Sequence, residues 1–243
     1  MKRSGWRYPR LIAHRCGGAL APENTLAGLR IAARMGVKAV EFDAMLSRDG
    51  VPLLIHDETL ERTTNGHGRV AETAWPDLQG LDAGAHHHPS FRGEPLPTLA
   101  AALALCDELG LAVNLEIKPA QGQEAITGST VGLLAAACAP RAGLILSSFS
   151  TVALDAAREL APELAYALLV ESIPADWQQQ LKQYGCSALH ASAWQLDPEL
   201  ARAVIKAGIP LACYTVNQYD EAEALFSLGV VAVFSDRPDL FRM

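Results

Sequence analysis

Three acidic residues lie in two short apolar segments that otherwise resemble buried strands. Glu41 and Asp43 alternate with apolar residues in the first segment, and Glu116 does so in the second. Residues two apart in an extended chain project to the same side, so the carboxylates form charged stripes opposite apolar ones. Such groups should lie on a solvated edge strand, pair with a base or bind a metal ion. Three oxygen donors without a Cys/His cluster favour Mg²⁺ or Ca²⁺ over structural zinc.

Two further apolar segments end in imidazole groups. His14 is followed by Arg15, and His56 is followed by Asp57. Near neutral pH, one histidine can accept a proton from a nucleophile while the other donates a proton to a leaving oxygen. Arg15 and Lys118 carry positive charges suited to phosphate oxygens, which a metal ion also polarises. The pattern predicts an anionic substrate that contains phosphate.

The elements that must position these groups alternate between short apolar runs and helical patterns. Eight strands are predicted, over 11–14, 38–46, 111–117, 143–148, 164–170, 187–191, 210–215 and 230–234. Helices are predicted over 26–33, 98–109, 123–138, 151–160, 175–184, 197–206 and 219–227, and at the C-terminus. This order is typical of an α/β TIM barrel, where side chains at the C-terminal ends of the strands meet at one mouth. An open, doubly wound sheet is the alternative, although the chain has no Gly-x-Gly-x-x-Gly loop.

A hairpin and an insertion are predicted directly after the second strand. Asp49-Gly50 is a strong turn signal, and closure at this dipeptide would place His56 opposite Asp43 on one face. Residues 59–97 lack a consistent period and are rich in glycine and proline, which indicates a small insertion over the barrel mouth. Its three consecutive histidines are interpreted as solvated polar residues rather than as a metal site.

Composition restricts the class of protein further. With 243 residues, 50% of them hydrophobic, and no linker between two halves, the chain suits a single catalytic domain over 1–243. A formal net charge of −7 argues against nucleic acid as a partner. Five cysteines without a CxxC pair are typical of reduced thiols, and no apolar run is long enough to cross a bilayer. We therefore expect a cytoplasmic location without stable membrane insertion; the sequence does not indicate the oligomeric state.

Ordered motifs extend over nearly the whole chain. They are His14-Arg15-Cys16-Gly17-Gly18, Pro22-Glu23-Asn24-Thr25, Glu41-Phe42-Asp43, Asp49-Gly50, His56-Asp57, residues 60–66, Pro95-Leu96-Pro97, Glu116-Ile117-Lys118, Ser147-Ser148-Phe149, Tyr214-Thr215-Val216-Asn217 and Ser235-Asp236-Arg237-Pro238. This set resembles the glycerophosphodiester phosphodiesterase family, and within it the bacterial cytoplasmic enzymes associated with glycerol phosphate uptake. The resemblance implies a TIM barrel with a small insertion, a divalent metal ion, and hydrolysis of small glycerophosphodiesters to sn-glycerol 3-phosphate and an alcohol.

The resemblance also implies roles for individual residues. His14 and His56 would be the acid/base pair, and Arg15 and Lys118 would contact the phosphate. The implied metal ligands are Glu41, Asp43 and Glu116. The nucleophile would be either the neighbouring glycerol hydroxyl, through a cyclic phosphate, or water. Cys16 departs from the family, which usually has glycine there, and a side chain would strain this loop if the backbone takes a positive φ.

Two other classes of protein fit part of this pattern. A non-catalytic barrel that binds glycerophosphodiesters would need the basic residues, but not both histidines together with three acidic residues. A phospholipase acting on intact lipid would need an exposed apolar or basic surface. The preferred alcohol is not indicated. Trp194, Tyr214 and Asn217 are candidates for substrate contact or for loop support, and His190 ends a strand without a comparable motif.

Overall fold

The computed structural model describes residues 6–241, and the strands in this range form one closed sheet. They are β1 (Leu11–Ala13), β2 (Ala39–Leu46), β3 (Pro52–Leu54), β4 (Ala112–Ile117), β5 (Leu144–Ser148), β6 (Ala165–Val170), β7 (Ala188–Ser192), β8 (Leu211–Tyr214) and β9 (Ala232–Ser235). All except β3 run parallel, and pairing of β1 with both β2 and β9 closes the barrel. The predicted TIM barrel is confirmed.

Helices cover the outside of the barrel. They are α1 (Leu26–Arg34), α2 (Trp75–Leu78), α3 (Leu99–Leu109), α4 (Glu124–Cys138), α5 (Thr151–Leu160), α6 (Trp177–Gln183), α7 (Pro198–Lys206) and α8 (Tyr219–Leu228). Side-chain oxygens cap the N-termini of several helices. Thr25 accepts a hydrogen bond from the backbone N–H of Gly28 at α1, and Thr98 accepts one from that of Ala101 at α3. Within the described residues, the helix predicted at the C-terminus is a three-residue 3-10 helix, Pro238–Leu240. No helix in 6–241 has both the length and the apolar character needed to span a membrane.

The alternation along β2 and β4 separates an apolar layer from a charged one. Val40, Phe42, Leu115 and Ile117 are fully buried between the strands and the helices. Each such side chain contributes about 1.5 to 3 kcal/mol through burial. Because neighbouring residues in a strand point to opposite faces, the acidic residues between them point into the barrel.

Aromatic side chains from the segment before β1 fill the lower end of the barrel. The strands begin there with small interior residues, namely Ala39, Ala112, Ala165, Ala188 and Ala232. These leave room for Trp6 and Tyr8, whose rings meet edge to face with centroids 5.5 Å apart. The Tyr8 hydroxyl hydrogen-bonds to Nε2 of His190, which is fully buried, at 2.7 Å. His190 is therefore part of the barrel packing and lies away from the charged mouth.

The hairpin of β2 and β3 differs from its prediction by one residue in register. Leu54 lies opposite Ala44, and the backbone N–H of Ile55 donates to the carbonyl oxygen of Asp43 at 3.2 Å. The predicted pairing of His56 with Asp43 is therefore wrong. His56 lies after the end of β3 and has no partner in the pairing of β2 with β3.

The turn of this hairpin explains the shift. Ser47 pairs with Val51 through a backbone hydrogen bond of 3.0 Å, so three residues rather than two form the loop. Gly50 ends the loop with a φ of 80°, a conformation that glycine adopts without steric cost. The Ser47 hydroxyl also donates to the carboxylate of Asp49 at 2.6 Å. An Asp-Gly pair suits this longer turn as well as the two-residue one.

The insertion between β3 and α3 shares a small apolar core with the hairpin. Its buried residues pack against hairpin residues; the cluster comprises Met45, Leu53, Ile55, Leu60, Val70, Leu78, Ala83, Leu96 and Ala120. The insertion also contacts the first barrel helix, because Glu94 accepts a hydrogen bond from the backbone N–H of Ala27 at 2.8 Å. This contact attaches the insertion beside the loop that follows β1.

Candidate active site

Glu41, Asp43 and Glu116 converge inside the upper end of the barrel. The parallel pairing of β2 and β4 sets Asp43 directly beside Glu116. One oxygen from each of the three carboxylates lies within 4.8 Å of the others. Glu41 and Asp43 are buried, and the Glu116 side chain is only 13% exposed. Residues that are distant in the sequence thus form one compact acidic cluster.

The cluster contains more negative charge than its neighbours neutralise. Burial and the charge of Asp43 raise the pKa of Glu41 to about 7 and hold the pKa of Glu116 well above its usual range. Burial acts in the same direction on Asp43, but Lys118 and other donors outweigh it and lower the pKa of that carboxyl. The Lys118 ammonium lies 3.6 Å from Asp43 and 3.7 Å from Glu116. Lys118, Arg15 and His14 therefore offset the charge of the cluster only in part, because the pKa values of Glu41 and Glu116 stay raised.

This donor set fits a hard divalent cation. Oε1 of Glu41 is buried and accepts no hydrogen bond from any residue in 6–241. A buried carboxylate oxygen without a donor is costly, and a cation would relieve that cost. A metal ion needs several His, Cys, Asp or Glu side chains close together, and among the described residues these three carboxylates meet that condition. The three histidines of the insertion form no such group.

The loop after β1 takes a left-handed backbone path toward this cluster. Arg15 and Cys16 have φ values of 49° and 75°, so the positive φ considered for Cys16 is present. This path lets the backbone N–H of Arg15 donate to Oε2 of Glu41 at 2.9 Å. Cys16 is fully buried, and burial raises the pKa of its thiol well above the usual range. A buried, protonated thiol is a poor nucleophile.

His14 lies at the end of β1 between two carboxylates. Its Nδ1 is 2.7 Å from Asp236, and its Nε2 is 3.8 Å from Glu41. Burial alone would lower the pKa of His14, but the hydrogen bond to Asp236 and the charge of Glu41 outweigh burial and raise it. Asp236 directly follows the last strand, and Asn217 donates to it at 3.1 Å. Its position at a strand end was the signal that could have identified Asp236 from the sequence.

His56 occupies the opposite kind of environment. Its Nδ1 is 2.6 Å from the carboxylate of Asp57, and its Nε2 contacts the Lys118 ammonium. Because a carboxylate accepts, Nδ1 carries the proton and Nε2 is left as an acceptor. Burial lowers the pKa of His56, and the charge of Lys118 adds to this against the attraction of Asp43. Lys118 thus connects His56 with Asp43, although the two residues are not paired in the hairpin.

A cavity opens beside the cluster. Its polar side is formed by His14, Glu41, Asn114 and Glu116, and its apolar side by Phe149, Leu169, Tyr214 and Phe234. The Tyr214 hydroxyl is fixed by donating to the backbone oxygen of Val170 at 2.7 Å. Trp194, which is 92% exposed, is not among the described lining residues, and Asn217 supports Asp236 instead. Of the three candidates for substrate contact, Tyr214 lines this cavity.

A second group of charged residues surrounds Arg15. Glu23, in the same loop, accepts from Arg15 with both carboxylate oxygens at 3.2 Å. Arg62 of the insertion binds Glu23 at 2.7 and 2.8 Å and also contacts Asp57. Glu23 and Arg62 have no role that the sequence predicts, because neither follows a strand and Arg62 lies in a segment without a regular period.

The fold and the site together define a TIM-barrel protein with an acidic mouth whose donors fit a metal ion. Residues 14–240 match the model of the glycerophosphoryl diester phosphodiesterase family, and the chain belongs to this family. A glycerophosphodiester phosphodiesterase of Caldanaerobacter subterraneus is 33% identical over 232 residues, which cover 94% of each chain. The structure of an Oleispira antarctica phosphodiesterase, in complex with the product sn-glycerol-3-phosphate, superimposes with a TM-score of 0.92 at 38% identity. That match covers 96% of this chain and 95% of the other.

Proposed function

We propose that the protein hydrolyses glycerophosphodiesters to sn-glycerol 3-phosphate and an alcohol, using a divalent metal ion and two histidines. The observation that carries this proposal is the cluster of three carboxylates with an imidazole on either side, His14 near Glu41 and His56 beside Lys118. Membership of the family supports the reaction. The sn-glycerol-3-phosphate bound to the Oleispira antarctica enzyme supports the product.

The metal ligands in this proposal are Glu41, Asp43 and Glu116. Their oxygen donors suit Mg²⁺ or Ca²⁺, and the unpartnered oxygen of Glu41 supports the assignment. When bound, the ion would supply Lewis-acid polarisation of the phosphate oxygens. Arg15 and Lys118 would bind the same phosphate from the protein side, because a guanidinium and an ammonium both donate to phosphate oxygens.

The two histidines divide the proton transfers between them. His56 accepts a proton at Nε2, since its Nδ1 proton is donated to Asp57 and the nearby Lys118 ammonium keeps the resting ring neutral. His14 donates a proton to the leaving alcohol oxygen, since Asp236 and Glu41 favour its charged form. Opposite environments for two titratable groups are the usual basis for assigning an acid and a base. The hydroxyl that loses its proton belongs to the glycerol or to water.

The proposal extends to the whole chain and its setting. We infer one catalytic domain over 1–243, with the insertion 59–97 over the mouth; the core that the insertion shares with the hairpin supports this inference. The partner is a small-molecule diester rather than nucleic acid, in keeping with the net charge of −7. A cytoplasmic location is also part of the proposal, and the five free cysteines within the described residues support it.

A product assay tests the proposed reaction. Purified protein is incubated with glycerophosphocholine or glycerophosphoethanolamine in the presence of Mg²⁺, Ca²⁺ or EDTA, and sn-glycerol 3-phosphate is measured enzymatically. We expect release with at least one metal ion and loss of release with EDTA. Binding of the diester without release would favour a non-catalytic barrel, and release of choline only from phosphatidylcholine bilayers would favour a phospholipase. A deoxy analogue that lacks the neighbouring glycerol hydroxyl separates internal attack from attack by water.

A further inference from the structure

Arg62 of the insertion contacts two carboxylates that belong to different segments of the mouth. Glu23 lies in the loop between β1 and α1, and Asp57 lies just after β3. The terminal nitrogens of Arg62 bind the two oxygens of Glu23 at 2.7 and 2.8 Å, while its Nε donates to Asp57. A guanidinium carries its donors in one rigid plane, so contact with one carboxylate fixes the angle at which it meets the other.

Each of these carboxylates also holds a residue of the proposed site. Glu23 accepts from the terminal nitrogen of Arg15 at 3.2 Å, and Asp57 accepts from Nδ1 of His56 at 2.6 Å. The contacts therefore run from Arg15 through Glu23, Arg62 and Asp57 to His56. The first residue of this series, Arg15, is the phosphate contact of the proposed function, and the last, His56, is its proton acceptor. The inference rests on that proposed function.

Folding stability is a weak explanation for this arrangement. The side chain of Arg62 is 45% exposed, and those of Glu23 and Asp57 are 20% and 30% exposed. Isolated ion pairs with this degree of exposure contribute little to the free energy of unfolding, and the larger contribution of a bidentate network would not require both of its ends to lie in the proposed site. A planar arginine that meets two carboxylates nevertheless restricts the rotation of both, and that restriction passes to the side chains they hold.

The state of Arg15 adds a second reason. Its Nε is buried and has no hydrogen-bond partner among residues 6–241, which leaves a donor for a ligand. If Arg62 were absent, Glu23 would have Arg15 as its remaining cationic partner and would draw the guanidinium toward itself. With both arginines present, the charge of Glu23 is shared between them.

We propose that Arg62 is a positioning residue that orients Arg15 through Glu23 and His56 through Asp57. The insertion thereby sets the geometry of phosphate binding and of proton transfer together. A misplacement of about 1 Å at such groups costs up to about 100-fold in rate. Lysine at this position would keep the charge but, as a point donor, would hold one carboxylate at a time.

Arg69 provides a matched control within the same insertion. Its side chain is also 45% exposed, and it also contacts two carboxylates, those of Glu58 and Glu72. Neither of these belongs to the proposed site. Arg69→Gln therefore removes a surface arginine of the same exposure, also placed between two carboxylates, without touching Arg15 or His56.

The kinetic test compares Arg62→Gln, Arg62→Lys and Arg69→Gln with the unchanged protein on glycerophosphocholine and saturating metal ion. We expect Arg62→Gln to lower kcat by about 10-fold to 100-fold and to raise KM several-fold. Arg62→Lys should show a smaller loss, and Arg69→Gln should leave both constants within a factor of about two. Equal constants for Arg62→Gln and Arg69→Gln would overturn the proposal.

Double variants separate the two branches. In an Asp57→Asn background, Arg62→Gln should cause no further loss of kcat, and in a Glu23→Gln background it should cause no further rise in KM. Independent sites would instead give effects that multiply. Full multiplication in both backgrounds would exclude action through these carboxylates. If Arg62→Gln fails to fold by circular dichroism, the same comparison is made with Arg62→Lys.

A spectroscopic measurement tests the His56 branch without turnover. Long-range ¹H–¹⁵N spectra of the histidine rings report which nitrogen carries the proton. We expect the Nδ1-protonated form of His56 in the unchanged protein and a mixture of tautomers in Arg62→Gln. An unchanged His56 spectrum in the variant would overturn the proposal even if the chain releases no product. Absence of product from the unchanged protein, by contrast, would refute the proposed function alone.

Discussion

At the scale of single residues, two asparagines hold two carboxylates of the mouth. Asn24 donates to Oδ2 of Asp43 at 2.9 Å and accepts from its backbone N–H at 3.0 Å. Its φ of 57° is one that asparagine tolerates better than most residues. Asn217 holds Asp236 in a similar way, with its Oδ1 accepting from the Asp236 backbone at 2.8 Å. The first asparagine supports a proposed metal ligand, and the second supports the partner of His14.

Because Asn24 supports a proposed metal ligand and Asn217 does not, replacing them should affect metal affinity differently. Asn24→Gly removes the amide while keeping a residue that tolerates the backbone angle, and we expect metal affinity to fall by about 10-fold to 100-fold. Asn217→Ala should leave metal affinity unchanged and lower kcat, because it disturbs Asp236 rather than a ligand. Calorimetric titration with Mg²⁺ and Ca²⁺, alongside steady-state kinetics, measures both. Equal metal affinity in all three proteins would contradict the role given to Asn24.

The residues that sequence reasoning identified and those it missed differ in their position. Residues such as His14 and Glu116 lie on strands or directly after them, where alternation and the barrel geometry fix their direction. The supporting residues act on another side chain rather than on a ligand. Arg62 and Asn24 reach their partners from loops, and a contact between two loops has no period in the sequence. Such partners become evident only from coordinates.

At the scale of elements, the hairpin was the least predictable part of the barrel. The strand ranges follow from runs of apolar residues, which locate buried strands well. The register depends instead on whether the turn has two or three residues, and Asp49-Gly50 is compatible with both. The backbone hydrogen bond between Ser47 and Val51 selects the longer turn. A shift of one residue then places Ile55, rather than His56, opposite Asp43.

The backbone conformation of the turn can be tested by comparing substitutions at two glycines, Gly50 and Gly80. Gly50 has a φ of 80°, and a Cβ added there would meet nothing within 4 Å. Gly50→Ala should therefore lower the free energy of unfolding by about 1 kcal/mol through backbone strain alone. Gly80 is equally open but lacks a positive φ, so Gly80→Ala should be neutral or slightly stabilising. Urea unfolding of both variants measures the difference, and equal stabilities would argue against a positive φ at Gly50.

At the scale of the whole molecule, the two ends of the barrel have different chemistry. The upper end concentrates carboxylates and basic groups, and the lower end is filled by aromatic and small apolar side chains. His190 is the exception at the lower end, where burial lowers the pKa of its imidazole to about 3. Tyr8, its hydrogen-bonding partner, stays protonated because burial raises the pKa of its hydroxyl. The pair is neutral in the folded protein.

This buried imidazole predicts acid sensitivity. An unfolded histidine has a pKa of about 6.5, so below that pH the unfolded chain binds a proton that the folded chain rejects. The contribution is complete above about pH 6.5 and declines toward pH 3, with a loss of about 2 to 3 kcal/mol by pH 4.5. Urea unfolding in EDTA, for the unchanged protein and His190→Gln, isolates the effect as a difference. Parallel pH dependence in the two proteins would show that His190 does not cause the sensitivity.

Met45, Leu53 and Ile55 belong to the hairpin and also complete the core of the insertion. Excision between residues 59 and 97 would therefore leave bare apolar surface on both fragments. A chimera that takes this region from a relative should place its crossover on the barrel side of the hairpin. Hairpin and insertion therefore form one packing unit. Recombination that keeps this unit intact would exchange Arg62 together with the apolar residues that support the insertion.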